Sequence, residues 1–295
     1  MKAIITGATG FVGRLLARRL PSASHLSIGS EGWRAAIAAA DFDSATVFHL
    51  AARVHRRDDP EAMLMHDNVE KTIVLAQAAA ARGAQRFVFL SSVKVNGEES
   101  PGRPFTAADP EAPADAYARS KCAAEHALRD IGARSRLSIA VVRSPLVIGE
   151  GARGNLHALM RLADTAWPLP FAALDNRRTF IHVEDLASLL VAACQAQARW
   201  RVFLAGHPDA VSTARLVGVL RETFGRPARM VPVPGGALEA LAGAVGAGSR
   251  MRRLTRSLVV DAGDAQRELK WIAEVDMNAG IAAMARAFRT ARSAP

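Results

Sequence analysis

Three glycines near the start constrain this chain more than any other feature. "TGATGFVG" sets Gly7, Gly10 and Gly13 at GxxGxxG spacing, after the short apolar run "KAIIT" and before the helical pattern "FVGRLLARRL". A strand, a tight glycine turn and a helix, in that order, open a parallel-sheet fold, because parallel neighbours need a crossover and a helix usually supplies it. The alternation continues through the first half. "HLSIGS" (25–30), "ATVFHLAA" (45–52), "RFVFLSS" (86–92) and "LSIAVVRSP" (137–145) read as strands. "EGWRAAIAAADF", "PEAMLMHDNVEKTIVLAQAAAARG" and "ADAYARSKCAAEHALRDIG" (114–132) read as helices, the last two closed by Gly83 and Gly132. Several strands are continuous apolar runs, as strands covered on both faces are. The expectation is an α/β protein with a doubly wound parallel sheet over residues 1–145.

Beyond Pro145 the pattern becomes irregular. "LVIGEGARGN" is loop-like, "DNRRTFIHVEDLASLLVAACQAQ" holds a short strand and a helix, and "WRVFLAG" (200–206) offers a last parallel strand. Residues 178–206 are therefore expected to thread back onto the sheet. Residues 146–177 and 207–295 are expected to form a smaller, mixed C-terminal substrate lobe.

Charge and composition exclude several classes. The net charge of +10 raises nucleic-acid binding, but the arginines are spread along the whole chain and aromatics make up only 5% of it, too few for stacking platforms. No apolar run approaches the roughly 20 residues that span a bilayer. The two cysteines, Cys122 and Cys194, form no disulfide framework, and no Cys/His spacing suggests zinc, so no metal is expected. "MKAIITGATG" runs straight into a strand, so the expectation is a cytoplasmic protein without a signal peptide.

The chemistry gathers around "YARSK". Tyr117 is the single tyrosine of the chain and stands four residues before Lys121, one of the lysines at 2, 71, 94, 121 and 270. Residues four apart share a helix face, so the pair is either a chance of helix surface or a phenol whose pKa an ammonium lowers for proton exchange near neutral pH. At the other end, the glycines would let the backbone approach a pyrophosphate at a helix N-terminus.

Taken together, "TGATGFVG", "HLAA" (49–52), "NVEKT" (68–72), "SSVKVNG" (91–97), "YARSK", "VRSPLVIGEG" (142–151), "RTFIHVEDLA" (178–187) and "VVDAGDAQRELKW" (259–271) resemble the extended short-chain dehydrogenases/reductases of the nucleotide-sugar epimerase/dehydratase type. The wording is most similar to bacterial proteins that act on UDP-hexosamines, both 4-epimerases and the 4-ketoreductases that make UDP-N-acetylquinovosamine. The resemblance implies a Rossmann fold and assigns Ser92, Tyr117 and Lys121 to catalysis: Tyr117 as acid/base, Lys121 as both pKa-lowering ammonium and ribose ligand, and Ser92 at the reacting sugar oxygen. It places the cofactor against Gly7, Thr9, Gly10, Phe11, Val12, Ser30, Arg34, Leu50, Ala51, Ala52, Ser91, Tyr117 and Lys121. Lys94, Asn155, Arg178 and Arg253 are implied on the UDP-sugar side, with His55 and Arg56 as candidate borders of the sugar pocket. A homodimer through helices 61–82 and 114–132 is also implied.

Two departures refine the expectation. Dehydratases of the family carry Asp-Glu after the serine, where this chain has Val93 and Lys94, so dehydration is not expected. At the end of the second strand, where NAD-preferring sites place an acid, Ser30 stands with Arg34 nearby, which tilts the cofactor toward NADP over NAD. The segment between Gly13 and His49 is short, as if one strand–helix unit were trimmed, with Asp41 and Asp43 near the junction. The first expectation is therefore reduction of a UDP-4-keto-6-deoxy-hexosamine. The alternatives are a UDP-glucose or UDP-N-acetylglucosamine 4-epimerase and, from another class, a non-catalytic dinucleotide sensor.

Overall fold

The computed structural model describes residues 1–54, 60–100 and 102–293, so His55 and Arg56 lie outside the described residues. The strands are β1 (Ala3–Thr6), β2 (Ser24–Leu26), β3 (Thr46–His49), β4 (Arg86–Ser92), β5 (Ser138–Ser144), β6 (Leu146–Ile148), β7 (Phe180–His182) and β8 (Trp200–Leu204). Six of them form one parallel sheet in the order β2-β1-β3-β4-β5-β8. Winding reverses between β1 and β3, so their carboxyl ends border the crevice where open α/β sheets bind ligands. Residues 27–45 hold one helix and no strand, so the sheet ends at β2, one unit short of the 3-2-1-4-5-6 order of dinucleotide folds.

Side-chain alternation along the strands feeds two cores. Ile5, Phe48, Val88, Ala140, Val142 and Phe203 point to the face covered by α1 (Phe11–Arg19) and, later in the chain, by the helix Val183–Ala193. Ile4, Val47, Phe87, Phe89, Ile139 and Val141 point to the opposite face. There they meet α2 (Trp33–Ala39) and a long helical stretch made of α3 (Glu61–Met65), a wide π-turn over His66–Glu70 and α4 (Lys71–Ala81), with α5 (Ala116–Arg134) beside it. Each fully buried Phe, Leu or Ile side chain contributes on the order of 1.5–3 kcal/mol.

The second half departs in detail from the pattern read above. "LVIGEGARGN" is not all loop: it contains β6 and leads into α6 (Asn155–Ala163). β7 pairs with β6 rather than with the main sheet. What returns to the sheet from 178–206 is α7 (Val183–Ala193) and the parallel strand β8. The remaining helices are α8 (Thr213–Thr223), α9 (Gly235–Ala244), α10 (Gly248–Thr255), α11 (Gly263–Leu269) and α12 (Met277–Ser293). α6, α8, α9 and α12 share a third core built on Leu156, Met160, Leu216, Leu220, Leu238 and Met284. α11 instead sends Ala265 and Leu269 into the α7 side of the sheet. Among the described residues no helix is long and apolar enough to cross a membrane.

Candidate active site

The turn after β1 is built so that only glycine fits at two places. Gly7 has φ +72°, and a Cβ there would stand 2.7 Å from the Ala51 backbone nitrogen. A Cβ on Gly13 would stand 2.0 Å from the Gly7 carbonyl oxygen. Gly10 N–H donates to the Gly7 carbonyl at 2.9 Å, and α1 starts with no side-chain cap, leaving its first N–H groups directed outward. Gly7 thus lies against the backbone of Leu50 and Ala51 where β1 and β3 end, and the turn with Thr9, Gly10, Phe11 and Val12 forms a cradle that fits a dinucleotide pyrophosphate. His49, fully buried, fixes this junction from below. Its Nδ1 lies 2.7 Å from Thr6 Oγ1 and its Nε2 lies 2.8 Å from Thr72 Oγ1. Because Thr72 donates its own proton to the Asn68 carbonyl, His49 donates through Nε2 and accepts from Thr6. Burial, followed by the charge of Lys121, pushes its pKa down to about 3. It is a neutral structural group.

The ribose side differs from expectation. Ser30 is exposed past β2, but the Arg34 guanidinium is paired with Glu70 and lies 4.3 Å from the centre of the Trp33 ring. Glu70 is held in turn by His66 at 2.7 Å. Arg34 is thus an exposed, paired guanidinium in this structure. Asp41 and Asp43 are also remote from the crevice: both engage Lys2, at the opposite end of β1.

α5 carries Tyr117 and Lys121 on the turn capped by Asp115, whose Oδ1 accepts from Ala118 N–H at 2.8 Å. Asn68, which the sequence reading passed over inside "NVEKT", registers this helix. It is 1% exposed. Its Oδ1 accepts from Arg53 N–H at 2.7 Å, and its Nδ2 donates to the Arg53 carbonyl and to Ser120 Oγ, both at 3.0 Å. Ser120 donates to the Tyr117 carbonyl at 2.8 Å. The π-turn thereby ties the loop after β3 to the turn that carries Tyr117 and Lys121. Asn68→Ala should cost about 2–4 kcal/mol in urea unfolding, since buried partners lose their bonds; a loss within about 0.5 kcal/mol would show the register is held elsewhere.

The Tyr117–Lys121 pair does not behave as the simple reading had it. Burial, with the Asp115 charge adding to it, pushes the Tyr117 phenol up to about 12 rather than down. Burial also pulls the Lys121 ammonium down to about 7, against the opposing pull of Glu125. Lys121 is 2% exposed, its Nζ lies 4.0 Å from the centre of the Phe89 ring, and it makes no hydrogen bond to the described residues. An unpaired ammonium at the cradle is what a ribose ligand requires. Between about pH 7 and pH 10 the unfolded chain holds a proton that the folded, ligand-free protein has shed, so stability should rise with pH across that window. Below about pH 7 the cost of the buried charge is fully present. Urea unfolding at about pH 7 and pH 9.5 should show this rise in the wild type and lose it in Lys121→Met; equal rises would assign it to other groups.

Ser91 and Ser92 diverge, as strand alternation requires. Ser91 is buried, and its hydroxyl, expected at the cofactor, donates instead to Glu125. Glu125 also takes Arg143 from β5 at 2.6 Å, and Arg143 reaches Asn96 at 3.1 Å and Glu111 at 2.9 Å. Such a buried network positions more than it stabilises. It fixes β4 and β5 against α5, one turn beyond Lys121.

Ser92 faces a cavity of about 380 Å3 whose lining also includes Lys94, Asn155, Arg178 and Arg253. Residues from distant parts of the chain are therefore brought together. The fold adds three that the sequence reading missed: Glu98, Thr213 and Arg250. Arg250 and Arg253 are three apart on α10, a helical spacing that was legible beforehand. Lys94 Nζ bridges Asp115 and Glu98, the latter at 2.7 Å, while its N–H donates to Ser92 Oγ at 3.3 Å. Tyr117 and Lys121 stand outside the lining itself and join it through Asp115. Arg253 Nε is buried 3.5 Å from Glu98 without a hydrogen bond, and Arg178 gives one bond of 2.9 Å to the Arg256 carbonyl. The cavity thus holds more guanidinium donors than acceptors, as a diphosphate site does.

The model of the NAD dependent epimerase/dehydratase family matches residues 3–206. A UDP-glucose 4-epimerase of Vibrio cholerae is 32% identical, the match spanning 98% of this chain and 96% of that protein. The solved structure of MoeE5 in complex with UDP-glucose and NAD is 25% identical with a TM-score of 0.76, covering 99% of this chain and 100% of that one. The UDP-glucose 4-epimerase of Thermotoga maritima, with UDP-glucose, shares the fold at 20% identity and a TM-score of 0.78, covering 99% and 100%.

Proposed function

The chain belongs to the NAD dependent epimerase/dehydratase family, and from that premise we propose that it inverts C4 of a UDP-hexose through a 4-keto sugar, using NAD. The observation that carries this reading is the single cavity that joins the Ser92 hydroxyl to the cations Arg178, Arg250 and Arg253. Those cations hold the UDP diphosphate, Asn155 assists them at the start of α6, and the hexose is thereby directed toward Ser92 and Tyr117. Ser92 hydrogen-bonds O4, and Tyr117 takes the O4 proton as the alcohol is oxidised and returns it on reduction. NAD, held by the glycine turn and Lys121, would supply the hydride acceptor for C4. Lys121 orients the ribose and adds its own charge when protonated. Lys94, held by Asp115 and Glu98, leaves no free carboxylate directly after Ser92, which supports epimerisation over dehydration.

The expectation of a reductase rested on wording close to the UDP-hexosamine subgroup, on the lean to NADP and on the short cofactor-side segment. The pairing of Arg34 with Glu70 offsets the charge that would draw a 2′-phosphate and supports NAD. The names of the relatives support the same choice. Bound nucleotide released from the purified protein should be NAD, and UDP-glucose should be converted to UDP-galactose with no net use of reductant. Oxidation of added NADPH by a UDP-4-keto-6-deoxy-hexosamine, without interconversion of UDP-hexoses, would overturn the proposal in favour of the reductase. The proposal extends to a cytoplasmic homodimer through residues 61–82 and 114–132, supported by Met63 and Met65, which are 42% and 38% exposed on α3; sedimentation of the purified chain as a monomer would remove it.

A further inference from the structure

A second group of chemically active side chains lies on the other flank of α5, and no part of the reaction above uses it. Cys122 and His126 are one helical turn apart on α5, and Glu111 comes from the segment that precedes the helix. Glu111 Oε2 lies 3.1 Å from Cys122 Sγ and 2.6 Å from His126 Nε2, and the sulfur and the ring nitrogen are 3.8 Å apart. The three donor atoms lie within 4.8 Å of one another. The sequence alone showed no zinc spacing, because Glu111 is an unremarkable loop acid until the fold sets it over the helix.

We propose that Glu111, Cys122 and His126 bind a divalent transition ion, zinc above all, through one thiolate, one imidazole nitrogen and one carboxylate oxygen. Tetrahedral zinc with bonds of about 2.0–2.3 Å sets neighbouring donors roughly 3.3–3.6 Å apart, so the two contacts of Cys122 Sγ need shifts of a few tenths of an ångström, while Glu111 Oε2 and His126 Nε2, now at hydrogen-bond distance, must part by roughly 0.7 Å, which the exposed His126 side chain allows. The mixed soft and borderline donors favour zinc over magnesium or calcium, which take oxygen ligands. Glu111 is already oriented: its other oxygen accepts from Arg143 Nη2 at 2.9 Å, the outer contact that fixes a metal-binding carboxylate. His126 is 61% exposed at the side chain, which gives the ion a path in and leaves the fourth position to water. On binding, the thiol releases its proton to solvent and sulfur, nitrogen and oxygen each donate a lone pair, with no change of oxidation state. The ion would pin the segment carrying Glu111 and the Asp115 cap to the helix that carries Tyr117 and Lys121, so its effect is to brace the catalytic turn rather than to take part in the reaction.

Cobalt(II) titrated into chelator-stripped, full-length protein is the test, with zinc added afterwards. One equivalent should produce a thiolate-to-cobalt charge-transfer band with tetrahedral d–d bands, and zinc should bleach both while raising the melting temperature. Cys194, whose thiol donates to the Leu190 carbonyl at 3.8 Å inside α7, supplies the control: Cys194→Ser keeps the band and Cys122→Ser loses it. His126→Ala, at an exposed position that does not endanger the fold, should weaken binding by about tenfold or more. A wild-type titration without a charge-transfer band overturns the site, as does a band that survives in Cys122→Ser or an affinity unchanged in His126→Ala.

Discussion

Tyr117→Phe is expected to lower kcat for UDP-hexose epimerisation by about 10²–10⁴-fold while leaving NAD affinity within a few-fold of wild type. On the proposed mechanism this is a rise of about 3–5 kcal/mol in the barrier, and it arises because phenylalanine keeps the ring but removes the one atom that exchanges a proton with O4. The electrostatics explain why the loss should be large. Burial and Asp115 hold the phenol near 12 in the ligand-free protein, so Tyr117 becomes a base only when positive charge is assembled beside it. Lys121 sits near 7 for the same reason, burial, and its protonated fraction grows once a ribose hydroxyl gives the ammonium a partner. Turnover should therefore depend on an assembled complex rather than on either residue alone. Chromatographic assay of UDP-glucose conversion, with fluorescence titration of NAD, separates the two effects. Near wild-type turnover would mean that another group moves the proton.

Gly13→Ala is expected to reduce dinucleotide affinity by about hundredfold or more, close to 3 kcal/mol, even though alanine is the better helix former. In an open helix position the same change gains up to about 1 kcal/mol. Gly218 in α8 is such a position, because a Cβ there would meet nothing within 4 Å. At Gly13 the new methyl would lie 2.0 Å from the Gly7 carbonyl oxygen, which is backbone and has no rotamer to move. The turn must open, and with it the N–H groups that face the pyrophosphate. Isothermal titration with NAD, alongside Gly218→Ala as the comparison, measures the difference; equal affinity in the two variants would show that the loop relaxes without losing its ligand.

The residues that local chemistry fixes were legible from the chain alone. The glycine turn was legible because a backbone approach that excludes Cβ leaves glycine as the only choice. The sheet strands and their order of appearance were legible because apolar runs of the right length, separated by helical periods, have few other solutions. Tyr117 and Lys121 drew attention through helical spacing, which is also local, whereas Ser92 was singled out by the family resemblance of "SSVKVNG". The tertiary structure decided whatever depends on partners distant in sequence. The pairing of Arg34 with Glu70, 36 positions away, was not legible from the chain. Ser91 looked available to a cofactor until Glu125 took its hydroxyl. Asn68, a residue in a helical run, became the register of α5 only when the π-turn set it between Arg53 and Ser120. The phenol's pKa rose where the Tyr–Lys spacing alone suggested a fall, because desolvation depends on what packs around a group, and no spacing along the chain records that.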